Sequence, residues 1–356
     1  MEAKGTGFGG SLLVPSVQEL VKEPIIEVPP RYVRHDQDPR VVSCPPSSLP
    51  QVPIIDMERL SSEQYLAEVE LEKLNVACKD WGFFQMINHG ISCSLLEKVK
   101  KETQEFFKLP MEDKKKFWQT TEDVEGFGQA FVVSEEQKLD WSDIFYLITL
   151  PHNIRKPHLF PNLPLPFRDT LEIYSRELKN VALKTLLYIA KALKTEAKDM
   201  IVLFEDGMQA MRMNYYPPCP QPEQVIGLTP HSDAVGITFL LELNEVEGLQ
   251  IKKDEIWIPV RPLPKAFIVN IGEILEIVTN GQYKSVEHRA VVNSEKERLS
   301  IATFLNPNLE GDLGPAPSLI TPETPAKLKR VATVDFFKNL FSKELKRKTN
   351  VEQYYF

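Results

Sequence analysis

Val225-Ile226-Gly227-Leu228-Thr229-Pro230-His231-Ser232-Asp233 runs through Ala234-Val235-Gly236 into Ile237-Thr238-Phe239-Leu240-Leu241. Both apolar runs read as strands. Successive side chains of a strand alternate faces, so His231 and Asp233 should point one way and Ser232 the other, and one strand is expected to supply two metal ligands. A third ligand must then come from a strand distant in sequence. Lys284-Ser285-Val286-Glu287-His288-Arg289-Ala290-Val291-Val292 has the right make-up and offers His288. Between these segments lie the short apolar runs Leu249-Gln250-Ile251, Trp257-Ile258-Pro259-Val260 and Ala266-Phe267-Ile268-Val269-Asn270, split by Gly248, Lys252-Lys253-Asp254-Glu255 and Pro262-Leu263-Pro264. A ladder of short strands with turn signals at this interval indicates a β-sandwich or barrel with the site inside it.

Two imidazoles and one carboxylate can occupy one face of an octahedral ferrous ion and leave the other face open to a bidentate keto acid and dioxygen. Zinc accepts the same ligands in catalytic sites, and a histidine taken alone is more often structural. What favours iron is Glu297-Arg298-Leu299-Ser300-Ile301-Ala302-Thr303-Phe304, where alternation puts Arg298 and Ser300 on one face. A guanidinium beside a hydroxyl clamps a buried carboxylate, so a dicarboxylate keto acid could chelate the metal at one end and be held at the other. Taken alone, Arg298 would read as a surface arginine paired with Glu295 or Glu297.

The chain resembles the plant 2-oxoglutarate and Fe(II)-dependent dioxygenases. The resemblance rests on Trp81-Gly82-Phe83-Phe84-Gln85 with Asn88-His89-Gly90, on Met213-Asn214-Tyr215-Tyr216-Pro217-Pro218-Cys219-Pro220, on Gly227 to Asp233, on Val269-Asn270-Ile271-Gly272-Glu273, on Thr279-Asn280-Gly281, on Lys284 to Arg289 and on Arg298-Leu299-Ser300. Leu13 to Leu20 and Pro29-Pro30-Arg31-Tyr32-Val33 look most like the subgroup with the senescence-related protein of thale cress and the poppy thebaine and codeine O-demethylases.

That resemblance implies a mostly β core with flanking helices, a double-stranded β-helix or cupin-like jelly roll. It assigns Fe(II) to His231, Asp233 and His288 and the distal carboxylate of 2-oxoglutarate to Arg298 and Ser300. Tyr216 falls where a phenol joins that carboxylate, and Asn214 where an amide reaches the keto-acid end. It also implies O2 as oxidant and ascorbate as reductant. The expected activity is hydroxylation or oxidative O-demethylation of a specialised plant metabolite, an alkaloid, flavonoid or similar aromatic, with release of succinate and CO2. The alternative is a catalytically silent member that binds a small ligand as sensor or scaffold.

Phe304 continues the inward alternation of Arg298, Ser300 and Ala302 at a position where the family carries a substrate-stacking aromatic, and is expected to touch substrate. Phe127, Phe131 and Tyr146 form an aromatic, glycine-rich stretch suited to a lid, with plain core as the competing reading. Two positions depart from the family pattern: Glu273 stands where an aspartate is usual, and Glu242 where a glutamine is. A solvated or ion-paired surface carboxylate is expected for Glu242, although facing the pocket it would suit a cationic amine.

The rest of the chain is consistent with this. Net charge of −8 over 356 residues without a basic run disfavours nucleic acid and anionic membranes as partners. No run of about 18 apolar residues marks a membrane span, and Met1 to Gly5 lacks an apolar signal region. Cys44, Cys78, Cys93 and Cys219 show no paired metal spacing and read as reduced cytoplasmic thiols. A small-molecule substrate and a monomer are the expectations. Residues 1–50, proline-dotted to Pro50, read as an N-terminal arm; 51–205 as a helix-rich region; 206–310 as the jelly-roll core; and 311–356 as a C-terminal helical segment, all within one globular unit. Helices are expected around residues 63–80 and 92–107, over Phe167 to about Lys194 with Ile173, Leu178, Val181, Leu186 and Ile189 buried, and from Val334 to Arg347 over the barrel mouth.

Overall fold

The computed structural model describes residues 10–35, 50–341 apart from positions 122 and 130, and 351–356. Twelve strands build the core: β1 (Ile54–Asp56), β2 (Phe83–Ile87), β3 (Gly126–Gly128), β4 (Asp143–Leu150), β5 (Gln209–Tyr216), β6 (Leu228–His231), β7 (Ile237–Glu242), β8 (Leu249–Lys253), β9 (Ile256–Pro259), β10 (Phe267–Ile271), β11 (His288–Ala290) and β12 (Arg298–Leu305). They form an eight-stranded sheet in the order β1-β2-β10-β7-β12-β5-β4-β3 and a four-stranded sheet in the order β6-β11-β8-β9. Apart from the parallel β1/β2 pair, every pairing in the two sheets is antiparallel. The architecture is a double-stranded β-helix, or jelly roll, with helices along the outside of the larger sheet.

Those helices follow their apolar spacing. Cys93–Lys108, capped by the Ser92 hydroxyl, buries Leu96, Val99, Phe106 and Phe107. Phe167–Ala192 buries Leu171, Leu178, Val181, Leu186 and Ile189 in one stripe. Ile173, expected in that stripe, is 43% exposed: five residues before Leu178 it lies well round the helix from the buried face. The helix Gln64–Val76 ends in a π turn, Ala77–Trp81, and Gly82 with φ +62° turns the chain into β2. A Cβ there would stand 2.5 Å from the Lys284 carbonyl oxygen, so only glycine fits.

The described part of the N-terminal arm lies against the barrel. Val14, Val17, Val28 and Tyr32 form a buried cluster with Trp141, Tyr216 and Cys219, and Asp143 accepts from the Ser16 hydroxyl at 2.7 Å and the Val17 N–H at 2.9 Å. Met1 to Gly5 and the stretch from Cys44 to Leu49 lie outside the described residues. The C-terminal helix is described over Thr333–Phe341; Leu345 and Arg347 lie outside that range. No helix among the described residues is long and apolar enough to cross a membrane.

Candidate metal and co-substrate site

His231 and His288 are cross-strand partners on β6 and β11, and their rings lie 4.4 Å apart. Asp233 points the same way as His231, as alternation predicts, although β6 itself ends at His231. Two residues on, the Asp233 carbonyl accepts the Glu273 N–H at 2.8 Å, and the start of the helix Glu273–Val278 caps the turn through Val235 and Gly236. The turn, rather than the pleat, aims Asp233 inward. Ser232 does point away, donating to Glu273 at 2.6 Å; the longer arm at that departure position is therefore used.

The three side chains are set up as ligands. The His231 Nδ1 contacts the Thr229 carbonyl at 2.8 Å and the His288 Nδ1 that of Val286 at 3.1 Å. A carbonyl only accepts, so each Nδ1 carries the proton and each Nε2 lone pair is free. Both Nε2 atoms face Asp233 Oδ1, at 3.4 and 3.6 Å, while Oδ2 is held by the Thr238 hydroxyl at 2.6 Å and the Asn270 amide at 2.8 Å. Burial works against charge on Asp233, yet His288, His231 and Asn270 outweigh it and hold the carboxyl well below the usual range. Burial pushes the His288 imidazole down to about 4, against the upward pull of Asp233. At neutral pH the set thus presents a carboxylate and a neutral imidazole, the forms that coordinate metal. The donor atoms lie within 4.8 Å of one another and suit a divalent ion of the Fe(II) or Zn(II) kind.

A cavity runs from these ligands along the inward face of β12 and β5 to Arg298, Ser300 and Tyr216. Arg298 stands opposite Tyr216 and Ser300 opposite Asn214. All four are buried, and the Asn214 Nδ2 donates to the Ser300 hydroxyl at 3.2 Å. Arg298 Nε and Asn214 Oδ1 have no protein partner. Buried polar atoms left open beside a cavity ask for a polar ligand. Glu297, a possible surface partner for Arg298, instead accepts from the Tyr215 hydroxyl. Arg298 pairs with Glu242 at 2.5 Å. That overturns the surface placement expected for Glu242, whose side chain is only 9% exposed.

A second, mostly apolar cavity meets the first at His231, Asp233, Arg212 and Phe304. Phe131 and Tyr146 line it, with Phe337 and Leu340 of the C-terminal helix. Phe127 does not: on β3 it packs into the aromatic core, 6.3 and 6.4 Å from the rings of Phe107 and Phe106. The residue that sequence reasoning missed is Arg212, which lines both cavities with its buried Nε unpartnered. Its signal is a cation two residues before Asn214, flanked by Met211 and Met213, so that alternation puts it on the same face as Asn214.

This fold and metal triad define a class of jelly-roll metalloenzyme. Residues 207–307 match the 2OG-Fe(II) oxygenase superfamily, and residues 52–163 match the family described as non-haem dioxygenase in morphine synthesis N-terminal. Protein SRG1 of Arabidopsis thaliana is 58% identical, with 99% of each chain covered. Oxoglutarate-dependent flavonoid 7-O-demethylase 1 of Ocimum basilicum is 56% identical over 98% of this chain and 93% of that one. Codeine O-demethylase of Papaver somniferum is 53% identical over 96% of each. Among solved structures, JOX2 in complex with 2OG, Fe and JA superposes with a TM-score of 0.86 at 33% identity, covering 98% of this chain and 99% of that one. The chain belongs to the 2OG-Fe(II) oxygenase superfamily. It is an oxidoreductase, a dioxygenase that uses Fe(II), 2-oxoglutarate and O2.

Proposed function

We propose that the protein oxidises a C–H bond of a planar aromatic plant metabolite, with oxidative O-demethylation as the leading reaction and hydroxylation as the other outcome. The observation that carries this reading is the meeting of the two cavities at His231, Asp233, Arg212 and Phe304, which sets an aromatic-lined chamber directly against the metal ligands. Two of its relatives are named as a flavonoid 7-O-demethylase and a codeine O-demethylase, which supports O-demethylation here.

His231, Asp233 and His288 hold the metal, and Arg298 and Ser300, with Tyr216 and Asn214 beside them, hold and orient 2-oxoglutarate. Ferrous iron held there would supply the oxidising chemistry, coupling reduction of O2 to conversion of 2-oxoglutarate to succinate and CO2, with ascorbate as reductant. Phe304, Phe131 and Tyr146 present the substrate, because the selectivity of such an oxidation depends on which C–H bond stands nearest the metal. Phe337 and Leu340 close the chamber against water. Oxidation of an O-methyl carbon leaves a hemiacetal, which collapses to the free hydroxyl and formaldehyde.

The test is incubation with Fe(II), 2-oxoglutarate, ascorbate and a panel of O-methylated flavonoids and alkaloids, read by mass spectrometry. Loss of one methylene with formaldehyde and succinate appearing supports demethylation, and gain of one oxygen supports hydroxylation. Binding of panel compounds without succinate above the blank would instead favour a silent, ligand-binding member.

A further inference from the structure

Glu242 is a buried carboxylate in a place where the proposed reaction has no use for one. It stands on β7 directly opposite Ser300, which stands opposite Asn214 on β5, so the three share the inward face across three neighbouring strands. From there Glu242 Oε1 takes the Arg298 Nη2 at 2.5 Å, while its Oε2 has no partner. The guanidinium is confined on other sides as well. Its centre lies 5.1 Å from the Tyr216 ring, and a Cβ on Gly248 would come within 2.6 Å of Arg298 Cδ. Arg298 thus has one seat, and Glu242 occupies the side of it away from the co-substrate cavity.

We propose that Glu242 is a positioning residue that sets the strength and selectivity of co-substrate binding, an inference that rests on Arg298 holding the distal carboxylate of 2-oxoglutarate. It has two opposed effects. The ion pair locks the guanidinium so that its other N–H groups face the cavity. It also cancels the cation's charge, so a second carboxylate arriving at Arg298 meets a neutral pair and is repelled by Glu242 across the width of the guanidinium. At about 6–7 Å and an effective dielectric constant near 20, that repulsion weakens dicarboxylate binding by at least tenfold. A keto acid without a distal carboxylate does not feel it. The pair therefore makes this site less demanding of a dicarboxylate than a neutral residue at position 242 would.

The experiment is anaerobic titration of the Fe(II)-loaded protein, as wild type, Glu242→Gln, Glu242→Met and Arg298→Leu, with 2-oxoglutarate and separately with 2-oxopentanoate, which lacks the distal carboxylate. Binding is followed by calorimetry. In Glu242→Gln, an isosteric change that keeps an acceptor for Nη2, the Kd for 2-oxoglutarate falls at least about tenfold while that for 2-oxopentanoate stays the same. In turnover the change appears in the KM for 2-oxoglutarate and not in kcat. Glu242→Met loses the lock and the charge together, and its ratio of the two Kd values also shifts towards the dicarboxylate. Equal ratios in wild type and both Glu242 variants overturn the inference while leaving the co-substrate site intact. If Arg298→Leu binds 2-oxoglutarate as wild type does, the co-substrate assignment itself is wrong.

Discussion

The Asn270 amide, on β10, donates to Asp233 Oδ2 at 2.8 Å and leaves Oδ1 turned towards the two imidazoles. With the Thr238 hydroxyl on the same oxygen, it fixes which carboxylate atom would meet a metal held by the triad. Hydrogen-bonded supports of this kind are worth roughly 10–100-fold in metal affinity. Asn270→Ala should weaken Fe(II) or Co(II) binding by that order while the protein keeps its fold, as read by anaerobic metal titration alongside circular dichroism. Unchanged affinity would show that the turn at Asp233 alone suffices.

Phe304 and Phe127 should separate cleanly. Phe304 lines the chamber beside His231 and Asp233, so Phe304→Ala is expected to raise the KM for substrate roughly ten- to a hundredfold and leave 2-oxoglutarate affinity near wild type. Phe127 is a core residue, 1% exposed, and Phe127→Ala should cost about 3–5 kcal/mol of stability with the substrate KM unchanged. Steady-state kinetics and thermal denaturation on both variants decide it, and the reverse assignment of the two effects would refute the cavity reading.

Glu125 gives the fold a pH dependence. Burial raises its carboxyl from an ordinary 4.5 to about 7, with the Ile148 N–H pulling the other way, and nearby Lys156 is drawn more closely to Asp123. The folded protein therefore holds a proton that the unfolded chain has released, and stability falls as pH rises from about 4.5 through about 7. Glu125→Gln removes this slope, gaining on the order of 2 kcal/mol at pH 8 and little at pH 4. Denaturant melts of both proteins at the two pH values measure it. A gain of equal size at both would assign the effect to hydrogen bonding.

The strand ladder from Leu228 to Leu305 was legible because each short strand has its own alternation and turn signal, and the pairs Arg298/Ser300 and Asn214/Tyr216 follow from alternation alone. Asp233 faces inward as expected but for another reason: the Glu273 N–H closes the turn, a contact between segments that no local pattern encodes. Glu242 was misplaced for a similar reason. A carboxylate in a strand reads as surface until its partner, Arg298, is seen on the neighbouring strand β12. Phe127 and Tyr146 are both aromatic residues of the same stretch, and only the β3/β4 register separates them: Phe127 pairs with Phe145 on the core face, while Tyr146, paired with Gly126, faces the chamber. Arg212 was readable from its spacing to Asn214 but was eclipsed by the longer motif that follows it.

The most direct test of the account is the anaerobic visible spectrum of the protein on adding Fe(II) and then 2-oxoglutarate, because a keto acid chelating ferrous iron gives a charge-transfer band that neither partner gives alone. Wild type should show a saturable band at one iron per chain, lost in His231→Ala and shifted to far higher 2-oxoglutarate concentration in Arg298→Leu. A wild-type protein without the band, or a band unaltered in both variants, would contradict it.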